Sequence, residues 1–170
     1  MADQETMEAW MTLAKPGKEH EMLSRHAGDW NVTMKTWMNP GEPPAENQGT
    51  SRTQMILGGR YLAEAFRGDF NGMAFEGYGI IGFDNFRKRW WQTWMDNMST
   101  SVYKAEGTAS ADGKTITISG KSDRAMQNRK DVEMKGVYRF ISDNEYVFET
   151  YDVAPDGHDV KTMEIHYKRK

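Results

Sequence analysis

The sequence predicts a mainly β protein, a single antiparallel β-barrel of about ten strands with an N-terminal helical segment. Three observations predict it. From Gly28 to Arg169 polar and apolar residues alternate in about ten short runs. Clusters of Gly, Asn and Asp separate the runs and supply the positive φ that tight hairpins need. After residue 27 no run has helical spacing, so nothing is available to cover a parallel sheet, and evenly spaced strands and turns favour a barrel or sandwich over a βαβ fold. A chain of 170 residues fits one domain. Its expected division is a helical segment over 1–27 and a barrel over 28–169.

The helical segment comes first. Met7, Trp10, Met11 and Ala14 fall on one face of a first helix. Lys15-Pro16-Gly17 breaks it, because proline disfavours helix at the residue before it. A second short helix carries Glu19, Met22, Leu23 and His26 near one face. Helices this short need a surface to pack on, and the open end of the barrel is the expected place. Trp30, Val32 and Met34 then alternate with Asn31, Thr33 and Lys35 in the first strand. The stretch 39–47, with three prolines, is a loop by composition. Strands are expected at about 48–57, 60–67, 74–83, 89–97, 101–108, 115–121, 130–140, 145–153 and 160–169. Gly58-Gly59, Gly68-Asp69-Phe70-Asn71-Gly72, Asp84-Asn85, Asp112-Gly113, Ser142-Asp143-Asn144 and Pro155-Asp156-Gly157 connect them.

Composition narrows the function classes. Six Trp, seven Tyr, seven Phe and 13 Met supply core and contact area, while the mean hydropathy of −0.81 requires each strand to keep one face in water. The net charge is −3 with both signs interspersed, so no basic footprint for nucleic acid is present. The absence of cysteine excludes disulfides, thiol catalysis and cysteine metal sites. No apolar run approaches the ~20 residues of a membrane-spanning helix. The acidic start Met1-Ala2-Asp3-Gln4-Glu5 is unlike a signal peptide. The expected location is the cytoplasm, with neither nucleic acid nor membrane as partner.

Gly28-Asp29-Trp30 resembles the Gly-x-Trp that opens the first strand of lipocalin-like (calycin) barrels. That resemblance implies a basic residue from the last strand, Arg169 or Lys168, packed over Trp30. A longer set extends it: Ile56-Leu57-Gly58-Gly59-Arg60, Phe75-Glu76-Gly77, Gly82-Phe83-Asp84-Asn85, Trp94-Met95-Asp96-Asn97-Met98-Ser99-Thr100, Met163-Glu164-Ile165 and Tyr167. Over nearly the whole chain this set resembles the bacterial family catalogued as domain of unknown function 1579. The resemblance implies a calycin-like barrel and no particular chemistry. Phe83 departs from the tyrosine expected in that family's Gly-Tyr-Asp-Asn turn.

Several side chains could carry chemistry. Glu76 shares a strand face with Tyr78 and Ile80. Turned inward, burial would raise its pKa and make it an acid or base; turned outward, it is a solvated surface residue. Trp94 and Asp96 share a face with Trp90 and Gln92, and parity alone leaves either face inside. Glu64, between Leu62 and Phe66, implies an arginine partner, Arg60 or Arg139, or a wet face. His166 and Glu164 point the same way, which could begin a metal site or hang a haem from His166, but no third ligand is apparent. A Gly-x-Ser-x-Gly elbow is absent. Gly77-x-Gly79-x-x-Gly82 lies within a strand, where a dinucleotide site cannot form.

The leading expectation is binding of a small, largely apolar molecule inside the barrel without a cofactor. Trp30, Tyr78, Trp94 and Phe148 would give contact area, and Arg60, Glu76 and Asp96 would orient a polar end. The alternatives are proton transfer by a barrel carboxylate, Glu76 or Asp96, and a solid barrel that homodimerises through whichever of Trp90 and Trp91 faces out.

Overall fold

The computed structural model describes residues 3–39, 41–70, 72–124 and 128–170. Met1 and Ala2, and the connector residues Pro40 and Asn71, lie outside the described residues. Two helices, α1 (Gln4–Ala14) and α2 (Lys18–Ser24), precede ten strands. These are β1 (Gly28–Thr36), β2 (Ala45–Ile56), β3 (Tyr61–Phe70), β4 (Met73–Asp84), β5 (Arg89–Asp96), β6 (Tyr103–Ala109), β7 (Thr115–Arg124), β8 (Arg129–Ser142), β9 (Glu145–Val153) and β10 (Asp159–Arg169). Each strand pairs antiparallel with the next, and β1 pairs with β10 to close the barrel, Trp30 opposite Arg169 and Met34 opposite Ile165. Closure pairs every strand on both sides, leaving no free edge. The β2–β3 and β6–β7 turns use the expected glycines, whereas β3 runs on to Phe70 through the expected connector and β2 starts at Ala45, inside the expected loop. Leu57, Gly58 and Gly59 all have positive φ between β2 and β3, as does Gly113 between β6 and β7.

Alternation sends one side chain of each pair inward. Trp30, Val32, Met34, Leu62, Phe66, Ile81, Trp90, Ile116, Ile118 and Phe148 are buried in the resulting core. The inner face leaves little room for added atoms. A Cβ on Gly107 would run into the Thr117 carbonyl oxygen, and one on Gly77 into the Trp94 ring. The glycines of β4 therefore accommodate the barrel's own tryptophan.

One end of the cylinder is sealed. Helix α2 lies across it with His20 and Leu23 buried. The Arg169 guanidinium sits 4.4 Å from the centre of the Trp30 ring and donates to the carbonyls of Arg25, Ala27 and Asp143. Trp30 Nε1 donates to Thr53 Oγ1 at 2.9 Å, and Thr53 Oγ1 donates to the His26 carbonyl at 2.6 Å. Of the two basic residues expected over Trp30, Arg169 is the one in place.

The expectation for α1 needs correction. Asp3 caps it by accepting from the Thr6 N–H, but none of its residues is buried, and Met7, Trp10, Met11 and Leu13 are exposed. The extended Lys15 and the Pro16-Gly17 break turn the chain so that only α2 reaches the barrel end. Helix α1 is tied at its C-terminal end, where Asn85 Nδ2 donates to the carbonyls of Leu13 and Lys15.

Candidate functional site: a polar cavity beneath the second helix

Under α2 the core is interrupted by polar side chains. Glu64 projects inward from β3 between Leu62 and Phe66, with Ser51 and Thr53 of β2 beside it. Gln92 projects from β5 between Trp90 and Trp94. Tyr138, Tyr146 and Tyr167 come from β8, β9 and β10. Leu23 of α2 and His26, just beyond that helix, join Thr53, Leu62, Glu64, Gln92, Tyr138 and Tyr146 in lining a cavity of about 30 Å³. A space of that size holds a water or two, since one needs roughly 10–15 Å³. It is about a tenth of the smallest pockets that enclose drug-sized ligands, roughly 300 Å³.

The electrostatics of this centre follow from burial. Desolvation pushes the Glu64 carboxyl above the ordinary carboxylate range, against the opposing pull of hydrogen bonds from Ser51 and Tyr167. Ser51 Oγ donates to Glu64 Oε1 at 2.7 Å. No lysine or arginine pairs with Glu64 among the described residues, so the arginine partner expected for it is not there. Burial also raises the Tyr138, Tyr146 and Tyr167 hydroxyls well above their usual value, and the nearby Glu64 adds to this. Burial lowers the His26 pKa. Its Nδ1 lies 3.1 Å from the Met22 carbonyl, which can only accept, so Nδ1 carries the proton and Nε2 is a bare acceptor.

Two atoms of this centre are unsatisfied. His26 Nε2 and Gln92 Oε1 are buried with no hydrogen-bond partner among the described residues, and both residues line the cavity. The two residues are 4% and 6% exposed. Buried acceptors left alone cost about 1–3 kcal/mol each, so such sites normally meet a partner.

The structure distributes the sequence-predicted residues unevenly. Trp30 and Phe148 are buried in the wall, Trp30 forming the floor at the sealed end. Trp94 faces inward, its ring over Gly77 and Gly79, with Nε1 donating to Asp96 Oδ2 at 3.0 Å. Phe66 meets Trp94 edge-on at 6.5 Å and Phe75 at 5.7 Å, and together these rings fill the end opposite α2. Gly79 touches both Trp94 and the cavity, so the indole separates the polar centre from that end. Asp96 sits at that rim.

Three placements correct the expectation. Glu76 points outward and pairs with Arg67 at 3.5 Å. Tyr78 is on the same outer face, 42% exposed. The inward residues of β4 are their neighbours Phe75, Gly77, Gly79 and Ile81, because strand parity leaves the opposite set outside. Arg60 lies in the β2–β3 turn, donating to the Leu57 carbonyl at 3.1 Å. Glu76, Tyr78, Asp96 and Met95 instead border an open groove of about 400 Å³.

His166 shares a face with Glu164, as expected, but that face is external. His166 Nε2 lies 2.7 Å from Glu164 Oε1, in a surface network with Lys161 and Glu149. No group of three metal-ligating side chains exists among the described residues. A haem does not fit here: His166 points away from the interior, and the cavity could not admit a macrocycle.

A sequence model of the family described as protein of unknown function (DUF1579) matches residues 15–169. The chain belongs to that family. The matched region of this DUF1579 protein spans α2 and all ten strands and leaves α1 outside. No curated protein matches it. Among solved structures, Rv2717c from M. tuberculosis is similar with a TM-score of 0.64 at 12% identity, covering 92% of this chain and 99% of that one. That likeness concerns the fold. A redesigned beta barrel matches at a TM-score of 0.46 and 15% identity over 87% of this chain and 94% of its own. Another, solved bound to DFHBI, matches at 0.43 and 16% over 85% and 99%. No described helix is long and apolar enough to cross a membrane.

The polar centre was visible in part. Glu64 stood out as a carboxylate between two large apolar residues, and Gln92 as the amide between two tryptophans. What sequence lacked was the closure that brings β3, β5, β8 and β9 around one point.

Proposed function

We propose that this DUF1579 protein binds a small molecule inside its barrel, head-first against the polar centre. The observation that carries this is the pair of unpartnered buried acceptors, His26 Nε2 and Gln92 Oε1, on the cavity beside Glu64, whose pKa burial raises. A fitting guest donates hydrogen bonds, as a hydroxyl or primary amide does. A carboxylate head would bring a second set of acceptors, and desolvating it would be costly.

The head would fill the 30 Å³ cavity. A largely apolar remainder would need the space Trp94 now occupies. Two glycines beneath that ring leave room for a hydrocarbon chain once the indole turns toward the rim. The apolar body expected from sequence is thereby retained, with Trp94 as the side chain it displaces.

The test is a titration with octanol, octanamide and octanoate near neutral pH, followed by tryptophan emission and calorimetry. Octanol and octanamide should bind, octanoate about tenfold more weakly or worse, and Gln92→Leu should weaken the first two by about tenfold, as expected for one lost hydrogen bond. Absence of binding by all three, or a Gln92→Leu variant with unchanged affinity, would overturn the reading.

A second reading is favoured by Glu64 itself. A buried carboxyl with a raised pKa is suited to give a proton to a bound guest. It replaces Glu76 and Asp96 as the barrel carboxylate of the enzymatic alternative, and turnover of a carbonyl substrate that is lost in Glu64→Gln would distinguish it from binding alone.

A further inference from the structure

Beyond His26 Nε2 and Gln92 Oε1, three buried side-chain atoms have no hydrogen-bond partner among the described residues: Thr36 Oγ1, Asn47 Nδ2 and Tyr103 Oη. The two beneath α2 are acceptors. The other three can all donate, since an amide nitrogen only donates and a hydroxyl does either. Alternation places these three on the inner wall. Thr36 shares parity with the buried Trp30 and Met34, Asn47 with Ser51 and Thr53, and Tyr103 with Ala105. Thr36 ends β1, Asn47 lies near the start of β2 and Tyr103 opens β6, so each is at the end of its strand away from α2. Asn47 stands opposite Met34 and Thr36 opposite Ala45, which makes Thr36 and Asn47 diagonal neighbours. Strand β6 lies five strands from β1 in either direction, so Tyr103 faces inward from the opposite wall. Burial pushes its hydroxyl up to about 12, and it stays a donor through the neutral range.

The acceptors at this end are already engaged. Asp96 accepts from Trp94 Nε1 and from the Met98 N–H, each at 3.0 Å. Asp152 gives both oxygens to the Arg124 guanidinium, whose Nη1 donates to Ser122 Oγ at 3.0 Å. The Arg124–Asp152 pair balances its own charge and Asp96 adds a negative one, so the spare capacity here is neutral donors without a spare cation. The two ends of the interior are thus opposite in character: acceptors lack donors under α2, and donors lack acceptors at the mouth.

We propose that the guest of the barrel carries a second polar group at its far end, a neutral acceptor such as a ketone or ester carbonyl, which meets Tyr103 and Asn47. This rests on the interior-binding reading and adds a direction and a ligand class to it. The donor head lies under α2, an apolar middle runs past Met34, Phe66 and Met163, and the carbonyl sits at the mouth. An acceptor there relieves the cost of buried donors left alone. A carboxylate would share that end with Asp96 and find no free cation.

Calorimetric titration tests this with nonanol and with the ω-hydroxy methyl ketone and ω-hydroxy acid of the same chain length, circular dichroism confirming that each variant is folded. In the wild type the hydroxy ketone should bind about tenfold more tightly than nonanol, whereas a carbonyl that met no donor would bind more weakly than the methylene it replaces. Tyr103→Phe or Asn47→Leu should cut that ratio by at least about threefold and leave nonanol within about twofold of wild type. The hydroxy acid should bind no better than nonanol. A hydroxy ketone with no advantage over nonanol, a ratio unchanged in both variants, or an acid that binds more tightly than the ketone would overturn the proposal while the interior site stands. Failure of nonanol and hydroxy ketone alike to bind would overturn it together with the interior-binding reading.

Discussion

Ser51 Oγ donates a 2.7 Å hydrogen bond to Glu64 Oε1 inside the barrel, and no cation accompanies the carboxyl among the described residues. A carboxylate there would be a buried charge without a cation, so burial favours the protonated form. The raised pKa sets the sign of a stability effect. Stability is complete where both the folded and unfolded states are protonated, below about pH 4, and falls as pH rises toward the raised folded value. Glu64→Gln keeps the hydrogen-bonding shape without the charge. Urea unfolding should show it more stable than wild type by about 1–3 kcal/mol at mildly alkaline pH and no more stable near pH 4.

His26 acts in the opposite direction. Burial lowers its folded pKa, so its contribution is present above about pH 6.5 and is lost as pH falls through the lowered value. His20, also lowered chiefly by burial, adds to the same acid slope. His26→Asn should flatten stability against pH below about 6.5, measured by denaturant midpoints across that range.

Arg169 holds the sealed end by its planar fork, stacking on Trp30 and reaching three carbonyls. Lysine cannot reproduce that geometry. Arg169→Lys should lose nearly as much stability as Arg169→Ala, about 2–4 kcal/mol, with a red shift of Trp30 emission in both. Full rescue by lysine would mean that only the charge matters.

Gly107 and Gly77 should respond differently to alanine. At Gly107 the added Cβ meets the Thr117 backbone, which cannot move without breaking the β6–β7 ladder. Thermal unfolding should show a loss of about 3 kcal/mol. At Gly77 the added Cβ meets the Trp94 side chain, so a smaller loss with an altered tryptophan spectrum is expected.

The barrel was legible because turns and alternation are local properties. Gly28-Asp29-Trp30 marked the first strand, and Asp112-Gly113 and Gly58-Gly59 lie between strands as expected. The inner face of β4 was not legible, because Gly77 and Gly79 contribute no apolar signal and Glu76, Tyr78 and Ile80 look equally plausible as an interior set. Whether an apolar face is covered is likewise a tertiary property: the stripe of α1 was correctly periodic and its packing place was not. Glu64 carried a local signal, but the burial that raises its pKa comes only with closure, which also brings Tyr138, Tyr146 and Tyr167 from far along the chain close to it.

The most direct measurement is a ¹³C NMR titration of the Glu64 side-chain carboxyl, alone and with octanol. The carboxyl should titrate above the ordinary carboxylate range, and its resonance should shift when octanol fills the cavity. A Glu64 that ionises in the ordinary carboxylate range and ignores octanol would contradict both the buried polar centre and the binding site built on it.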